Sequence, residues 1–349
     1  MPASPRPTLE QVAARAGVSR ATVSRVVNGS TTVDPRLAET VRQAVADLGF
    51  VPNAAARALM TRRVDTVALV AAESASRVFG DPFFAAIARG ASLELGRAGK
   101  HMVLSMPHGA DDLRRLESFL RGGHVDGVLV VSEHDGRDVV SMAAACDVPA
   151  VVGGRPLASA AGLAFVDHDN ADGGRLAAER LLGDGRTRVG TVAGPQDMSA
   201  GIDRLQGFRS AMGSAFDSSL VQEGDFTTAG GRAATARLLA RRPDLDGLFV
   251  ANDLMALGAI SALRDAGRTV PEDIAVVGFD DADIAAVASP PLTTVRQRVL
   301  DQGRLMAQVL LTRLGQPPDA PMPELTAQGG GPGSPGIVLP VELVVRQSA

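Results

Sequence analysis

Residues 17–29 read GVSRATVSRVVNG. Wound into a helix, the stretch carries Val23, Val26 and Val27 on one side and Ser19, Arg20, Ala21, Thr22 and Arg25 on the other. A helix sealed in a core would not hold two arginines, because charged side chains are almost never fully buried unless paired. The polar side is therefore shaped to touch something outside the chain. Upstream, Thr8-x-x-Gln11 has capping-box spacing, and Leu9, Val12 and Ala13 follow at helical intervals. Gly17 permits a sharp turn, Ser19 suits the N-cap of the second helix, and Asn28-Gly29 ends it. Asp34-Pro35 caps and starts a third helix, with Leu37, Val41, Val45 and Leu48 on one face and Gly49 at its end. Three short helices with a glycine turn between the first two make a helix-turn-helix unit. In such a unit the second helix enters the major groove and presents its N-terminal residues to base edges. Arg20 and Ala21 then face the bases, Thr22, Ser24 and Arg25 reach phosphates or neighbouring bases, and DNA is the expected partner.

The charge distribution agrees. The first 63 residues carry nine arginines against four Asp or Glu, an excess of five positive charges in a chain whose formal total is −4, so the remainder is near −9. A basic head on an acidic body confines contact with a polyanion to the head. Its cations are all arginine, which suits bidentate contacts to phosphate or guanine. At 349 residues the chain exceeds one ordinary core, so two or three domains are expected. No run approaches the ~18 apolar residues of a membrane span, and MPASPRPTLE lacks the apolar centre of a secretory signal, so the expectation is a cytoplasmic protein with no membrane partner. Cys146 is the only cysteine, which excludes an internal disulfide. In SMAAACDVP it reads as a small buried hydrophobe.

The segment from Thr8 to Leu59, with its VSxxTVSRVxN run and later GFVPNxxAxxL, resembles the DNA-binding head of the lactose-repressor/galactose-repressor family of bacterial transcription regulators. The resemblance implies a homodimer that sets two heads on a pseudo-palindromic operator. It also implies that PNAAARAL (52–59) becomes a hinge helix on DNA, with Leu59 wedged into the minor groove. The DNA-binding set it implies is Thr8, Ser19, Arg20, Ala21, Thr22, Ser24, Arg25 and Asn28 in the head, and Asn53, Ala56, Arg57 and Leu59 in the hinge. An apolar wedge partly unstacks a base step and bends the duplex. Read without the resemblance, Leu59 is an ordinary linker residue.

From Thr66 onward short apolar strands (TVALVA, HMVLSM, DGVLVV, PAVVG, RVGTVAG, DGLFVA, DIAVVGF) alternate with amphipathic helices, the pattern of parallel α/β sheets. Two such groups suggest two lobes, whose ligands bind beyond the carboxyl ends of the strands. The residues there are Asp81, Phe83 and Phe84, Asp167 to Asn170, Arg204, Phe226, Asn252-Asp253, Asp280-Asp281 and Gln297. Carboxylate, amide and guanidinium groups beside phenyl faces describe a site for a small polar molecule. Asn252, Asp253, Asp280 and Asp281 also suit helix caps, and Phe83 suits plain core.

Residues 65–345 resemble the two-lobed, periplasmic-binding-protein-like effector domain of the same family through SAxxDRLQGF, VANDLMALG, VVGFDD and PPLTTVRQ. The fold class implied is an all-α helix-turn-helix head followed by an α/β two-lobed domain. Its parts are a head over 1–51, a hinge and linker over 52–64, an N-lobe over about 65–165 and 294–325, and a C-lobe over about 166–293 and 326–349. The effector set implied is Phe83, Phe84, Asp167, Arg204, Phe226, Asn252, Asp280 and Gln297. In it Arg204, Asn252 and Asp280 grip polar groups, Phe84 and Phe226 pack on ligand faces, and Gln297 sits where the lobes meet. The expected effector is a sugar or sugar derivative, with a purine or another metabolite as the alternative. Gly153, Gly154 and Arg155 stand where some sugar-binding relatives carry an aspartate.

The chain ends at LPVELVVRQSA with no heptad repeat, so a dimer rather than a tetramer is expected. The Pro- and Gly-rich stretch 316–336 reads as a mobile surface loop. Within it GPGSPG matches a nucleotide-binding pattern but follows no clear strand and opens no helix. No catalytic motif occurs and the five histidines are scattered, so neither an enzyme nor a cofactor is expected. Asp167-His168-Asp169 point in alternating directions, which disfavours a metal site. A solute-binding protein shares the body fold but carries no DNA-binding head.

Overall fold

The computed structural model describes residues 7–27, 32–51, 63–134, 139–157, 163–318, 322–323 and 335–349. Asn28, the hinge residues Asn53, Ala56, Arg57 and Leu59, and most of 316–336 lie outside the described residues. The chain divides into a unit ending at Val64 and another beginning at Asp65.

The first unit holds α1 (Leu9–Ala16), α2 (Arg20–Val27) and α3 (Pro35–Leu48). Thr8 and Gln11 form the capping box: the Thr8 N–H donates to Gln11 Oε1 at 2.8 Å and the Gln11 N–H to Thr8 Oγ1 at 3.4 Å. Gly17 takes the left-handed conformation that stops α1 and turns the chain into α2 (φ 66°). Ser19 Oγ accepts the Thr22 N–H at 3.1 Å, and Asp34 accepts the first N–H groups of α3. Val12, Val23 and Val41 are fully buried and centre the small core, with Ala44 and Phe50 beside them. Leu37 departs from expectation and is 45% exposed. The fourteen-residue α3 is about 21 Å long against about 12 Å for its eight-residue partners, so its first turn overhangs the core.

The second unit comprises β1 (Thr66–Ala71), α4 (Ala75–Gly80), α5 (Pro82–Arg97), β2 (His101–Ser105), α6 (Ala110–Arg121), β3 (Gly127–Val131), α7 (Val139–Ala145), β4 (Ala150–Gly153), β5 (Ala164–His168) and α8 (Asn170–Gly183). It continues with β6 (Val189–Ala193), α9 (Ser199–Met212), β7 (Val221–Glu223), α10 (Thr228–Arg241), β8 (Gly247–Val250), α11 (Asp253–Asp265), β9 (Ala275–Asp280) and α12 (Asp283–Val287). Last come β10 (Thr293–Arg296), α13 (Val299–Arg313), β11 (Gly336–Leu339) and β12 (Glu342–Val344). Two six-stranded sheets result, in the orders β11-β5-β4-β3-β1-β2 and β12-β10-β9-β8-β6-β7. All neighbours are parallel except β12, which runs antiparallel to β10. Both faces of each sheet carry a buried apolar cluster, as parallel sheets require.

Sheet membership moves the expected lobe boundaries. β5 ends the first N-lobe segment at His168, β10 still belongs to the C-lobe, and β11 belongs to the N-lobe. The chain thus crosses between β5 and α8, between β10 and α13, and between β11 and β12, rather than near 165, 293 and 325. Cys146 is half-buried at the edge of an N-lobe cluster, not sealed in it.

Candidate effector cleft

The ends of β4, β5, β8 and β9 and the starts of α5, α9 and α13 converge on one cleft with a cavity volume of about 80 Å³, several times what one water needs. Phe83, Phe84, Asp167, Arg204, Phe226, Asn252, Asp280 and Gln297 all line it. Arg77, Ser132, Glu133, Met198 and Gln302 line it too and were missed in the sequence.

Arg204 organises the C-lobe wall. Its side chain is 6% exposed. Nε donates to Asn170 Oδ1 at 2.8 Å, Nη1 donates to the Ala251 carbonyl at 2.6 Å, and the guanidinium lies 3.6 Å over the Phe279 ring. Nη1 is 3.6 Å from Asp280 Oδ1, and Gln297 Nε2 donates to that same oxygen at 2.6 Å. Burial drives the Asp280 carboxyl well above the usual carboxylate range, opposed by the charge of Arg204. Asp280 and Asp281 both have positive φ, 119° and 54°. Such backbone costs on the order of 1–3 kcal/mol per residue and persists only where its surroundings impose it. Asp253 helps impose it: buried, and lifted by that burial to about 7, it accepts the Ala282 N–H at 2.9 Å and the Thr294 hydroxyl at 2.6 Å.

Asn252 lines the cleft and also has a local role. Its Oδ1 caps α11 through the Met255 N–H at 2.9 Å, and its Nδ2 donates to the Phe226 carbonyl at 3.1 Å. It thereby holds Phe226, a non-glycine residue at φ 60°, with its ring in the cleft. On the N-lobe side Phe83 and Phe84 meet edge to face at 5.3 Å. Asp167 is lifted to about 6 by burial, although the Arg155 and His168 N–H groups and Asn170 Nδ2 all donate to it. Asp169 caps α8, so adjacent Asp167, His168 and Asp169 serve three different surroundings.

His168 is 3% exposed, and its Nε2 has no partner among the described residues. Burial, then the charge of Arg204, depresses its pKa to about 3. A histidine kept neutral in the fold contributes no acid sensitivity above its unfolded pKa of about 6.5. Below that, stability is lost at about 1.4 kcal/mol per pH unit until the folded pKa is reached. Urea unfolding at about pH 7, 5.5 and 4.5 should show a smaller acid loss in His168→Gln than in wild type; equal losses would refute this.

In the head, Arg20, Ala21 and Arg25 are exposed on α2, and Thr22 and Ser24 are half-buried. The first turn of α2 carries no acidic residue, leaving its positive end open to a phosphate. Arg20 Nε lies 3.1 Å from Glu10 Oε1, but both side chains are mostly exposed, so this pair is weak.

Comparison with known proteins agrees with both units. Residues 8–53 match the model of bacterial regulatory proteins of the lacI family, and residues 178–349 match a periplasmic binding protein-like domain. The chain is 49% identical over 313 residues to the HTH-type transcriptional regulator CelR of Thermobifida fusca, covering 88% of this chain and 92% of that one. It is 33% identical over 319 residues to the ribose operon repressor of Escherichia coli, covering 89% and 94%. A solved transcriptional regulator CelR-cellobiose complex is 44% identical with a TM-score of 0.75, covering 99% of this chain and all of that one. A lac repressor dimer bound to operator and the anti-inducer ONPF is 28% identical with a TM-score of 0.81, covering 99% of each chain. The chain belongs to the lacI family of bacterial regulatory proteins. It is a helix-turn-helix transcription regulator with a periplasmic-binding-protein-like domain, and not an enzyme. No helix among the described residues is long and apolar enough to cross a membrane.

Proposed function

We propose that this protein is a cytoplasmic, dimeric repressor of carbohydrate-related genes that binds a β-linked glucose disaccharide such as cellobiose in the cleft. The observation that carries the reading is the buried Arg204 paired with half-buried Asp280 on one wall, with Phe226 beside it and Phe83 and Phe84 on the other. Such a wall offers charged hydrogen-bonding groups to hydroxyls and apolar rings to sugar faces. The identity to a regulator solved with cellobiose supports the sugar. In the head, Arg20 and Ala21 read bases while Thr8, Ser19, Thr22, Ser24 and Arg25 hold the backbone. Asn28 and the hinge residues Asn53, Ala56, Arg57 and Leu59 complete the contact set implied by the family.

The effector is tested by thermal denaturation with cellobiose, glucose, ribose and purines. A ligand present at about 100 times its Kd stabilises by about 2.7 kcal/mol, so cellobiose should raise Tm. A rise with a purine alone would overturn the sugar reading. For the head, Arg20→Ala should cost about 1–3 kcal/mol on operator DNA and much less on random DNA. Equal losses on both would make Arg20 a phosphate contact.

A further inference from the structure

Among the described residues, contacts of Arg155, Arg77 and His134 join the lobes across the cleft. Arg155, beyond β4, pairs bidentately with Asp203 on α9, at 2.7 and 3.0 Å. Arg77 on α4 donates to the Asp225 carbonyl and lies 5.2 Å from the Phe226 ring centroid. His134, beyond β3, stands between two carboxylates: Nδ1 is 2.8 Å from Asp197 Oδ2 of the C-lobe, and Nε2 is 3.0 Å from Glu73 Oε1 of the N-lobe.

The third contact differs from the others in its chemistry. A neutral imidazole has one N–H and one lone pair, so one of its nitrogens would turn a lone pair toward an ionised carboxylate. Both short contacts are satisfied together by the imidazolium, which donates from both nitrogens. Glu73 is fixed independently, because Ser132 Oγ donates to its Oε1 at 2.7 Å and Arg77 adds positive charge nearby.

We propose that His134 is a proton-operated latch: anchored on Glu73, its imidazolium grips Asp197 in the closed arrangement of the lobes, which the free protein already populates and the effector favours, so closure takes up a proton. This rests on reading the cleft as the effector site. The hydrogen bond to Glu73 raises the His134 pKa above its ordinary value, against a burial effect that lowers it, and the bond to Asp197 raises it further. Burial pushes Glu73 up, but the hydrogen bonds from His134 and Ser132 and the charge of Arg77 outweigh it and hold Glu73 below the usual range. Opening removes Asp197 and so lowers the His134 pKa. The latch is complete at low pH, where His134 is charged whether the cleft is open or closed. It is lost as pH rises through the closed-form pKa, above the ordinary value of about 6.5. The Arg155–Asp203 contact contains no imidazole and serves as the control.

Calorimetric titration of the full chain with cellobiose at about pH 6, 7.5 and 9 tests the latch. Wild-type affinity should fall with rising pH, by about tenfold for each pH unit by which closure raises the His134 pKa. H134Q and D197N should bind more weakly than wild type at pH 6 and show a shallower pH slope, because the part due to His134 is gone. D203N should bind more weakly throughout and keep the wild-type slope. A flat wild-type profile, or an unchanged slope in H134Q, overturns the proposal. A second readout needs no effector: the NMR titration midpoint of the His134 ring, assigned with H134Q, should drop in D197N. An unchanged midpoint overturns the latch whatever the effector is. A drop without any cellobiose binding sinks the choice of sugar and leaves the latch standing.

Discussion

Replacing Arg204 with alanine is expected to abolish the effector response while the effector-free protein still binds operator. The substitution removes the donors to Asn170 Oδ1 and the Ala251 carbonyl, the stack on Phe279 and the positive charge beside Asp280. Breaking a buried ion pair costs about 3–5 kcal/mol when the remaining charge has no compensation. Part of that is relieved here because burial already lifts the Asp280 carboxyl, which can take a proton. A ligand hydroxyl loses charged hydrogen bonds worth about 1.5–3 kcal/mol each, so two such losses weaken effector binding about 100-fold or more. Arg204→Lys should not restore binding, because an ammonium cannot reproduce the planar fork or the stacking. Calorimetry of wild type and both variants checks this, and near-wild-type affinity in Arg204→Ala would remove Arg204 from the site.

Gly207→Ala should have the second largest effect, and it acts through position. A Cβ at Gly207 would lie 1.8 Å from the Ala171 carbonyl oxygen of α8. One at Gly174 of α8 would lie 2.1 Å from the Arg204 carbonyl oxygen of α9. The two helices therefore meet backbone to backbone, and this contact sets Arg204 beside Asn170. Overpacking of this kind costs about 1–3 kcal/mol, or roughly 2–10 °C in Tm for a domain of this size. Moving α9 by even a fraction of an ångström should also weaken effector binding, because Arg204 rides on it. Thermal denaturation and effector titration of Gly207→Ala give the test. Wild-type Tm together with wild-type affinity would show that the helices can part at no cost.

The parts of the fold legible in the sequence are those set by local chemistry. The caps at Thr8, Ser19 and Asp34 and the left-handed turns at Gly17 and Gly49 delimit the head, and four- to six-residue apolar runs mark seven body strands. β7 and β12 have three residues each, too few to show a period, the runs of β5 (AFVDH) and β10 (TTVR) are broken by polar residues, and β11 (GIVL) adjoins the Pro- and Gly-rich stretch. The lobe boundaries were misread because sheet membership is a long-range choice: β11 pairs with β5, about 170 residues upstream in the chain. The eight effector candidates converge because ligands of α/β lobes collect beyond strand ends. Gln302 was missed because its side chain is aimed by a hydrogen bond to the Val166 carbonyl at 2.8 Å, 136 residues away. Arg155 was noted as a departure from sugar-binding relatives, but its partner Asp203 could be identified only once the lobes faced each other.

The central claim is that occupancy of the cleft controls the head. Ligand can shift DNA binding only through its differential affinity for two states, and the coupling must be reciprocal. The most direct measurement is fluorescence anisotropy of a labelled pseudo-palindromic operator, selected from a random-sequence pool and titrated with wild type or Arg204→Ala, each with and without saturating cellobiose. Cellobiose should change the wild-type operator Kd by roughly 5–150-fold, corresponding to about 1–3 kcal/mol of coupling, and leave Arg204→Ala unmoved. A wild-type Kd that cellobiose does not alter, or an equal shift in Arg204→Ala, would contradict the account.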